Sequence, residues 1–211
     1  MTETLVSAPA APSVFDAEKF RQTTRAQWEN TAEAWNRWGP LLARWLGPAT
    51  EAMLGDALAL FQGKRKPLII CGGGVKYSGA NRALQAFAER FGIPFAETQA
   101  GKSAVVSEHP LNVGGIGETG CLAANLLARE ADLIIGIGTR YSDFTTSSKW
   151  LFQHPEVAFL NLNVCPGDSL KMEGVQLLAD ARAGLQALSE TLGRSGYRAA
   201  WDGQIGEAKA Q

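Results

Sequence analysis

Pro67-Leu-Ile-Ile-Cys-Gly-Gly-Gly-Val-Lys-Tyr-Ser-Gly-Ala80 is a short apolar run that stops at three glycines and then takes on helical character. In α/β proteins this grammar marks a buried strand ending in a turn tight enough to offer backbone N–H groups to a ligand. Asp132-Leu-Ile-Ile-Gly-Ile-Gly-Thr-Arg140 repeats it, with Thr139 and Arg140 at the strand's carboxyl end, where open parallel sheets bind their ligands.

Outward from these two runs, short apolar segments alternate with helical ones, which is the signature of βαβ units. Strands are expected near 67–71, 93–97, 132–137, 157–162 and 175–178. A helix over 79–91 has Leu84, Phe87, Ala88 and Phe91 on its inner face, and one over 120–129 has Leu122, Asn125, Leu126 and Arg129 in register. A last helix over 181–192, capped by Asp180, carries the stripe Leu185, Leu188 and Leu192. Right-handed crossovers put helices on both faces. The expected fold class is therefore α/β: a Rossmann-like, doubly wound parallel sheet of about six strands, preceded by a helical N-terminal extension.

That extension differs in kind. Trp28, Trp35, Leu42 and Ala49 recur every seven residues, and Trp38 and Trp45 add the i+3 positions of one stripe. Gly39-Pro40 is expected to interrupt the helix, leaving a hairpin or a kinked pair. The stripe reads as a core-covering face or as a partner-binding one. The expected organisation is a disordered tail over 1–12, the extension over 13–54, the α/β domain over 55–192 and a polar, Gly-rich tail over 193–211 whose order requires a docking surface.

Bulk composition narrows the class. The 211 residues are 45% hydrophobic, as a soluble core-forming protein requires, and 20 basic against 21 acidic residues lack the footprint of a nucleic-acid binder. Cys71, Cys121 and Cys165 are odd in number and widely spaced, which argues against a disulfide framework or zinc site and for a reducing cytoplasm. No run approaches the roughly 20 apolar residues of a membrane span.

The chemistry-bearing residues gather at one expected edge. Gly72, Gly73 and Gly74 suit a pyrophosphate cradle and equally a ligand-free turn, since their spacing is not Gly-x-Gly-x-x-Gly. Arg140 is placed to hold a phosphate or carboxylate, or else to pair with Asp143, beside a segment rich in hydroxyls from Thr139 to Ser148. The loops at 97–102 and 114–120 bring further glycines to the same edge, and this convergence favours a small-molecule crevice. His109 and His154 each precede proline without a nucleophile pattern and are expected to be solvated. Gly55-Asp56, with Asn81 downstream, imitates a thiamine-enzyme metal signature but lacks a preceding strand. No catalytic or metal-binding residue is assigned.

Gly72-Gly-Gly-Val-Lys-Tyr-Ser-Gly-Ala80, Ala96-Glu-Thr-Gln-Ala-Gly-Lys-Ser103, Glu130-Ala-Asp-Leu-Ile-Ile-Gly-Ile-Gly-Thr-Arg140 and Asp143-Phe-Thr-Thr146 resemble the middle domain of thiamine-diphosphate-dependent enzymes, the family of acetolactate synthase. They are most similar to the branch that opens trihydroxycyclohexane-1,2-dione with water in inositol catabolism. The resemblance covers about 55–192. It implies a parent with thiamine diphosphate and Mg2+, in which one outer domain supplies a glutamate, the other binds the diphosphate through magnesium, and the middle domain spaces them. This chain alone is expected to be inert, with other thiamine-enzyme domains or subunits, and its own copies, as partners. Some relatives bind ADP or FAD at the middle domain's edge. By that resemblance the glycine triplet, Gly138, Thr139, Arg140, Asn161, Asn163 and Asp180 would line a nucleotide site, although Asn161-Leu-Asn163 stands where nucleotide-binding relatives carry Asp-x-Asp for the ribose.

Phe15-Asp-Ala-Glu-Lys-Phe-Arg-Gln-Thr-Thr-Arg-Ala-Gln-Trp28 through Trp45-Leu-Gly-Pro-Ala-Thr-Glu-Ala-Met-Leu54 resembles the helical lead-in of a class I S-adenosylmethionine methyltransferase. The acidic, glycine-rich cofactor loop that should follow does not, so methyl transfer is not expected. A gene fusion or rearrangement explains such a junction, and the tryptophan stripe, drawn from another fold, is expected to pack imperfectly.

Overall fold

The computed structural model describes residues 15–211, so the tail expected at 1–12 lies outside the described residues. The chain divides into two compact units, one up to Pro48 and one from Ala49 to Gln211. The described part of the first is almost wholly one helix, α1 (Ala17–Leu60), which runs on into the second unit. Asp16 caps it, accepting hydrogen bonds from the backbone N–H of Glu18 and Lys19 at 3.0 Å each.

Gly39-Pro40 does not break α1: Pro40 and Pro48 both lie inside one uninterrupted helix. Each costs about 3 kcal/mol in a helix interior. Nor does the tryptophan stripe cover a core. Trp28, Trp35, Trp38 and Trp45 are 62, 54, 57 and 74% exposed, because no second element among the described residues of that unit offers them a surface.

In the second unit the end of α1 is followed by β1 (Pro67–Cys71), α2 (Gly73–Tyr77), α3 (Asn81–Phe91), β2 (Phe95–Glu97), β3 (Asn112–Gly115), α4 (Leu122–Glu130), β4 (Leu133–Ile137), α5 (Asp143–Thr146), β5 (Ala158–Asn163), α6 (Pro166–Ser169), β6 (Val175–Leu178), α7 (Ala181–Gly193) and α8 (Gln204–Ala210). The six strands are all parallel in the order β3-β2-β1-β4-β5-β6, which is the expected doubly wound α/β class. Strand order reverses between β1 and β4, and their register, Cys71 opposite Ile137, sets Gly72 beside Gly138.

Period-two alternation divides the core. Ile69, Cys71, Ile135, Ile137 and Leu160 face a layer built on Leu84, Phe87, Leu185 and Leu188, together with Ala57 and Phe61. Leu68, Ile70 and Ile134 face the opposite layer, with Ala124, Leu127 and Trp201. Both faces are covered, which is why β1 and β4 read as continuous apolar runs. Each fully buried Leu, Ile or Phe contributes about 1.5–3 kcal/mol.

Several expectations need correction. β2 begins at Phe95, because Ile93 N–H instead bonds the Ala88 carbonyl at 3.0 Å in the turn that ends α3. β3 was not foreseen, since Asn112-Val-Gly-Gly115 has one β-branched residue and two glycines; it is an edge strand held by pairing with β2. The inner face of α4 is Ala124, Leu127 and Ala128, with Leu122 55% exposed. Its alanines, lacking bulk, let the helix lie close to the sheet, which a stripe chosen by side-chain size misses. The segment 193–211 ends in the helix α8, which packs on α4 and is anchored by buried Trp201. No helix among the described residues is long and apolar enough to cross a membrane.

Candidate functional site

A crevice of about 750 Å3 opens at the carboxyl edge of the sheet, where the reversal of strand order splays the βα loops apart. Of the residues singled out in the sequence, Gly73, Gly74, Gly138, Thr139, Arg140, Asn163 and Asp180 line it, whereas Gly72 and Asn161 do not. The loops after β2 and β3 contribute Thr98, Gln99, Ala100, Ile116 and Thr119, so the glycine-rich loops do converge.

The glycines are required by each other. Gly72 N–H donates to the Ile137 carbonyl at 2.9 Å and Gly74 N–H to the Gly138 carbonyl at 3.1 Å. A Cβ on Gly72 would lie 2.2 Å from the Gly138 oxygen, and one on Gly138, whose φ is +57°, would lie 2.5 Å from Gly74 Cα. The two turns interlock, which accounts for the triplet without a ligand and commits two N–H groups that a pyrophosphate cradle would use.

Arg140 is exposed on the crevice, and among the described residues no carboxylate lies within ion-pair distance of its guanidinium; the pairing with Asp143 is not formed. Its carbonyl accepts from Lys171 Nζ at 2.8 Å, and that ammonium also pairs with Asp168 at 2.9 Å. Thr139 is buried, its Oγ1 accepting from Tyr141 N–H at 3.3 Å. Asp180 is the N-cap of α7, accepting from Arg182 and Ala183 N–H at 3.0 and 3.1 Å. Asn163 donates to the Thr139 carbonyl at 2.9 Å and accepts from Cys165 N–H at 3.1 Å, tying the ends of β4 and β5 together.

Asn161 is a structural residue. It is 2% exposed, its Nδ2 donates to the Ser169 and Lys171 carbonyls at 2.8 Å each, and its Oδ1 accepts from Tyr141 Oη at 2.6 Å. An aspartate here cannot donate, so Asn161→Asp orphans two carbonyls beside a buried charge. The expected result is a loss of about 2–3 kcal/mol in urea unfolding.

His109 is not solvated. At 8% exposure its Nδ1 accepts from Leu111 N–H at 3.2 Å and its Nε2 lies 2.9 Å from Glu89 Oε1, a role that needs the surrounding loop and left no local signal. Lys76 bonds the Lys102 carbonyl at 3.2 Å. Asn81 donates to the Ala104 carbonyl, and Gly55-Asp56 lies within α1, so neither resembles a metal site.

Burial pushes the Cys71 thiol up from its ordinary 9.0 to about 12, with the Glu97 charge adding and Lys76 opposing. Burial raises the Tyr141 and Tyr197 phenols in the same direction. Above about pH 9 an unfolded chain releases protons that the fold retains, so stability is expected to fall as pH rises from about 9 toward 12. Cys121 and Cys165 are exposed. Thiol titration near pH 8 is expected to label those two in the folded protein and Cys71 only after denaturation.

Sequence reasoning missed the apolar rim. Tyr77, Phe144 and Val164 line the crevice and are 93, 63 and 69% exposed. Their only signal was position, each in a segment following a strand. The described residues contain no group of three or more His, Cys, Asp or Glu placed to hold a metal ion.

Residues 54–188 match the model of a protein family described as thiamine pyrophosphate enzyme, central domain. Proteins named 3D-(3,5/4)-trihydroxycyclohexane-1,2-dione hydrolase from Bacillus cereus (strain AH820) and Bacillus thuringiensis (strain Al Hakam) are each 52% identical over 160 residues. That stretch is 76% of this chain and 25% of either relative, so the chain spans about a quarter of the length of the curated relatives it matches.

Proposed function

From the premise that the chain belongs to the thiamine pyrophosphate enzyme central-domain family, we propose that it is the middle domain of a thiamine-dependent hydrolase that opens the trihydroxycyclohexane-1,2-dione ring in inositol catabolism. Its work there is to scaffold rather than to catalyse. The observation that carries this reading is the 52% identity sustained over 160 residues to hydrolases of that name. The exposed apolar rim of Tyr77, Phe144 and Val164 supports it, because such side chains around a crevice suit cover by another domain. Thiamine diphosphate and Mg2+ belong to the remainder of the enzyme, the setting is cytoplasmic, and the partners are the other thiamine-enzyme domains or subunits. The exposed tryptophans of α1 add self-association.

We further propose that the unit is bounded as 13–54, 55–192 and 193–211. Exchanging 55–192 for the corresponding segment of the Bacillus cereus hydrolase is expected to preserve ring opening. The 211-residue chain with thiamine diphosphate and Mg2+ alone is expected to show none. Turnover by the isolated chain overturns the scaffold reading, and loss of folding or activity in the exchange overturns the assignment to this hydrolase.

A second reading is an adenine-nucleotide module of an acetolactate-synthase-like enzyme, favoured by the unpaired Arg140 guanidinium on a glycine-lined crevice. Calorimetric titration with ADP and FAD separates the two. Micromolar binding abolished by Arg140→Ala installs the nucleotide reading, and no heat with either ligand removes it.

A further inference from the structure

Trp28, Trp35, Trp38 and Trp45 are separated by seven, three and seven residues, a spacing that reads the same in both directions along α1. At 100° per residue they fall on one stripe, flanked by Ala32, Ala34, Leu41 and Leu46, while Glu29, Glu33, Arg37 and Arg44 lie on the opposite face. All four tryptophans are more than half exposed, and Leu41 and Leu46 are 45 and 52% exposed. A buried aromatic side chain covers about 150–250 Å2, so the stripe offers on the order of 800 Å2 per copy, the share of each partner in a standard-size interface.

A two-fold interface requires a surface that complements itself when reversed. Both tryptophan pairs, 28 with 45 and 35 with 38, centre on the Asn36–Arg37 peptide, so an antiparallel copy centred there sets Trp28 against Trp45 and Trp35 against Trp38, with Thr31 against Leu42 in the layer between. In heptad terms each a position then meets a d position of the other helix. Antiparallel pairing also brings each helix's positive amino end toward its partner's negative carboxyl end. A parallel in-register pair would instead set Arg21, one heptad before Trp28, against its own copy.

We propose that the tryptophan face of α1 is a homodimer interface, covered by α1 of a second copy running antiparallel about a two-fold axis at Asn36–Arg37. This rests on the self-association reading above and names its partner and geometry. The test uses the full chain carrying Cys121→Ser and Cys165→Ser, so that single spin labels can be introduced by Asn36→Cys or by Arg25→Cys.

Sedimentation equilibrium is expected to show a monomer–dimer equilibrium, and Trp35→Ala with Trp38→Ala is expected to weaken it about 100-fold, as loss of central aromatic anchors does. Alanine raises helix propensity, so unchanged far-ultraviolet dichroism shows that pairing rather than the helix was lost. At 1.5 Å rise per residue, labels at 36 are offset along the axis by about 2 Å and labels at 25 by about 35 Å, so dipolar spectroscopy should find a short and a long distance. A concentration-independent monomer overturns both the pairing and the self-association reading. Association with equal distances at the two sites, with no defined distance, or indifferent to the tryptophan substitutions overturns the pairing alone.

Discussion

Gly72→Ala is expected to lower the unfolding free energy of the α/β unit by about 3 kcal/mol or more, enough to leave a domain of ordinary stability marginally folded. The cause is contact rather than dihedral strain. Gly72 has an ordinary extended backbone, φ −96° and ψ 178°, but its new methyl would sit 2.2 Å from the Gly138 oxygen and 2.6 Å from Thr139 Cα. All of those atoms are backbone at the switch between β1 and β4, so relief requires separating two central strands. Gly79→Ala is the control. Gly79 has φ +61° with nothing within 4 Å of an added Cβ, so only strain of about 1 kcal/mol is expected. Urea denaturation followed by far-ultraviolet dichroism checks both, and equal effects would show that the interlock does not limit stability.

Trp201→Ala is expected to cost about 3–5 kcal/mol, the range for emptying a buried aromatic site. Trp201 is 3% exposed, packs among Leu68, Ile70 and Ile134, and donates through Nε1 to the Pro67 carbonyl at 2.9 Å. It thereby ties the segment leading to α8 to the start of the first central strand, beside the Ala200 N–H to Arg65 carbonyl bond at 2.8 Å. Trp201→Phe retains most of the volume and loses the hydrogen bond, so about 1–2 kcal/mol is expected. Amide exchange should show α8 losing protection first in either variant, and a native exchange pattern in Trp201→Ala would refute the anchoring role.

How far the sequence was legible depended on whether local pattern and tertiary demand agreed. β1 and β4 were readable because a strand covered on both faces must be apolar throughout, and β5 and β6 because enough of their residues are apolar to mark a strand. α3 and α7 were readable because their large apolar residues are the ones that face the sheet. β3 was not, because its pairing partner rather than its own residues makes Asn112-Val-Gly-Gly115 a strand. At the crevice, Arg140 was found by its position at a strand end, and Gly138 and Asp180 by resemblance to nucleotide-binding relatives. Asn161 was placed there by its resemblance to a motif, yet it lies inside β5, covered by Tyr141, Ser169 and Lys171, while Asn163, two residues on along the same face, is the strand's last residue and reaches the edge.

By itself the sequence determined the parallel α/β class and the carboxyl edge as the place where loops gather, since apolar runs, glycine turns and caps are encoded within a few residues of one another, and its motifs carried the resemblance to the thiamine-enzyme central domain. Only the tertiary structure decided that the glycine triplet serves an interlock between β1 and β4, that the segment after Gly193 is docked through Trp201, and that the α1 tryptophans stand open. These outcomes depend on which surfaces distant parts of the chain present to one another, and no local periodicity carries that information.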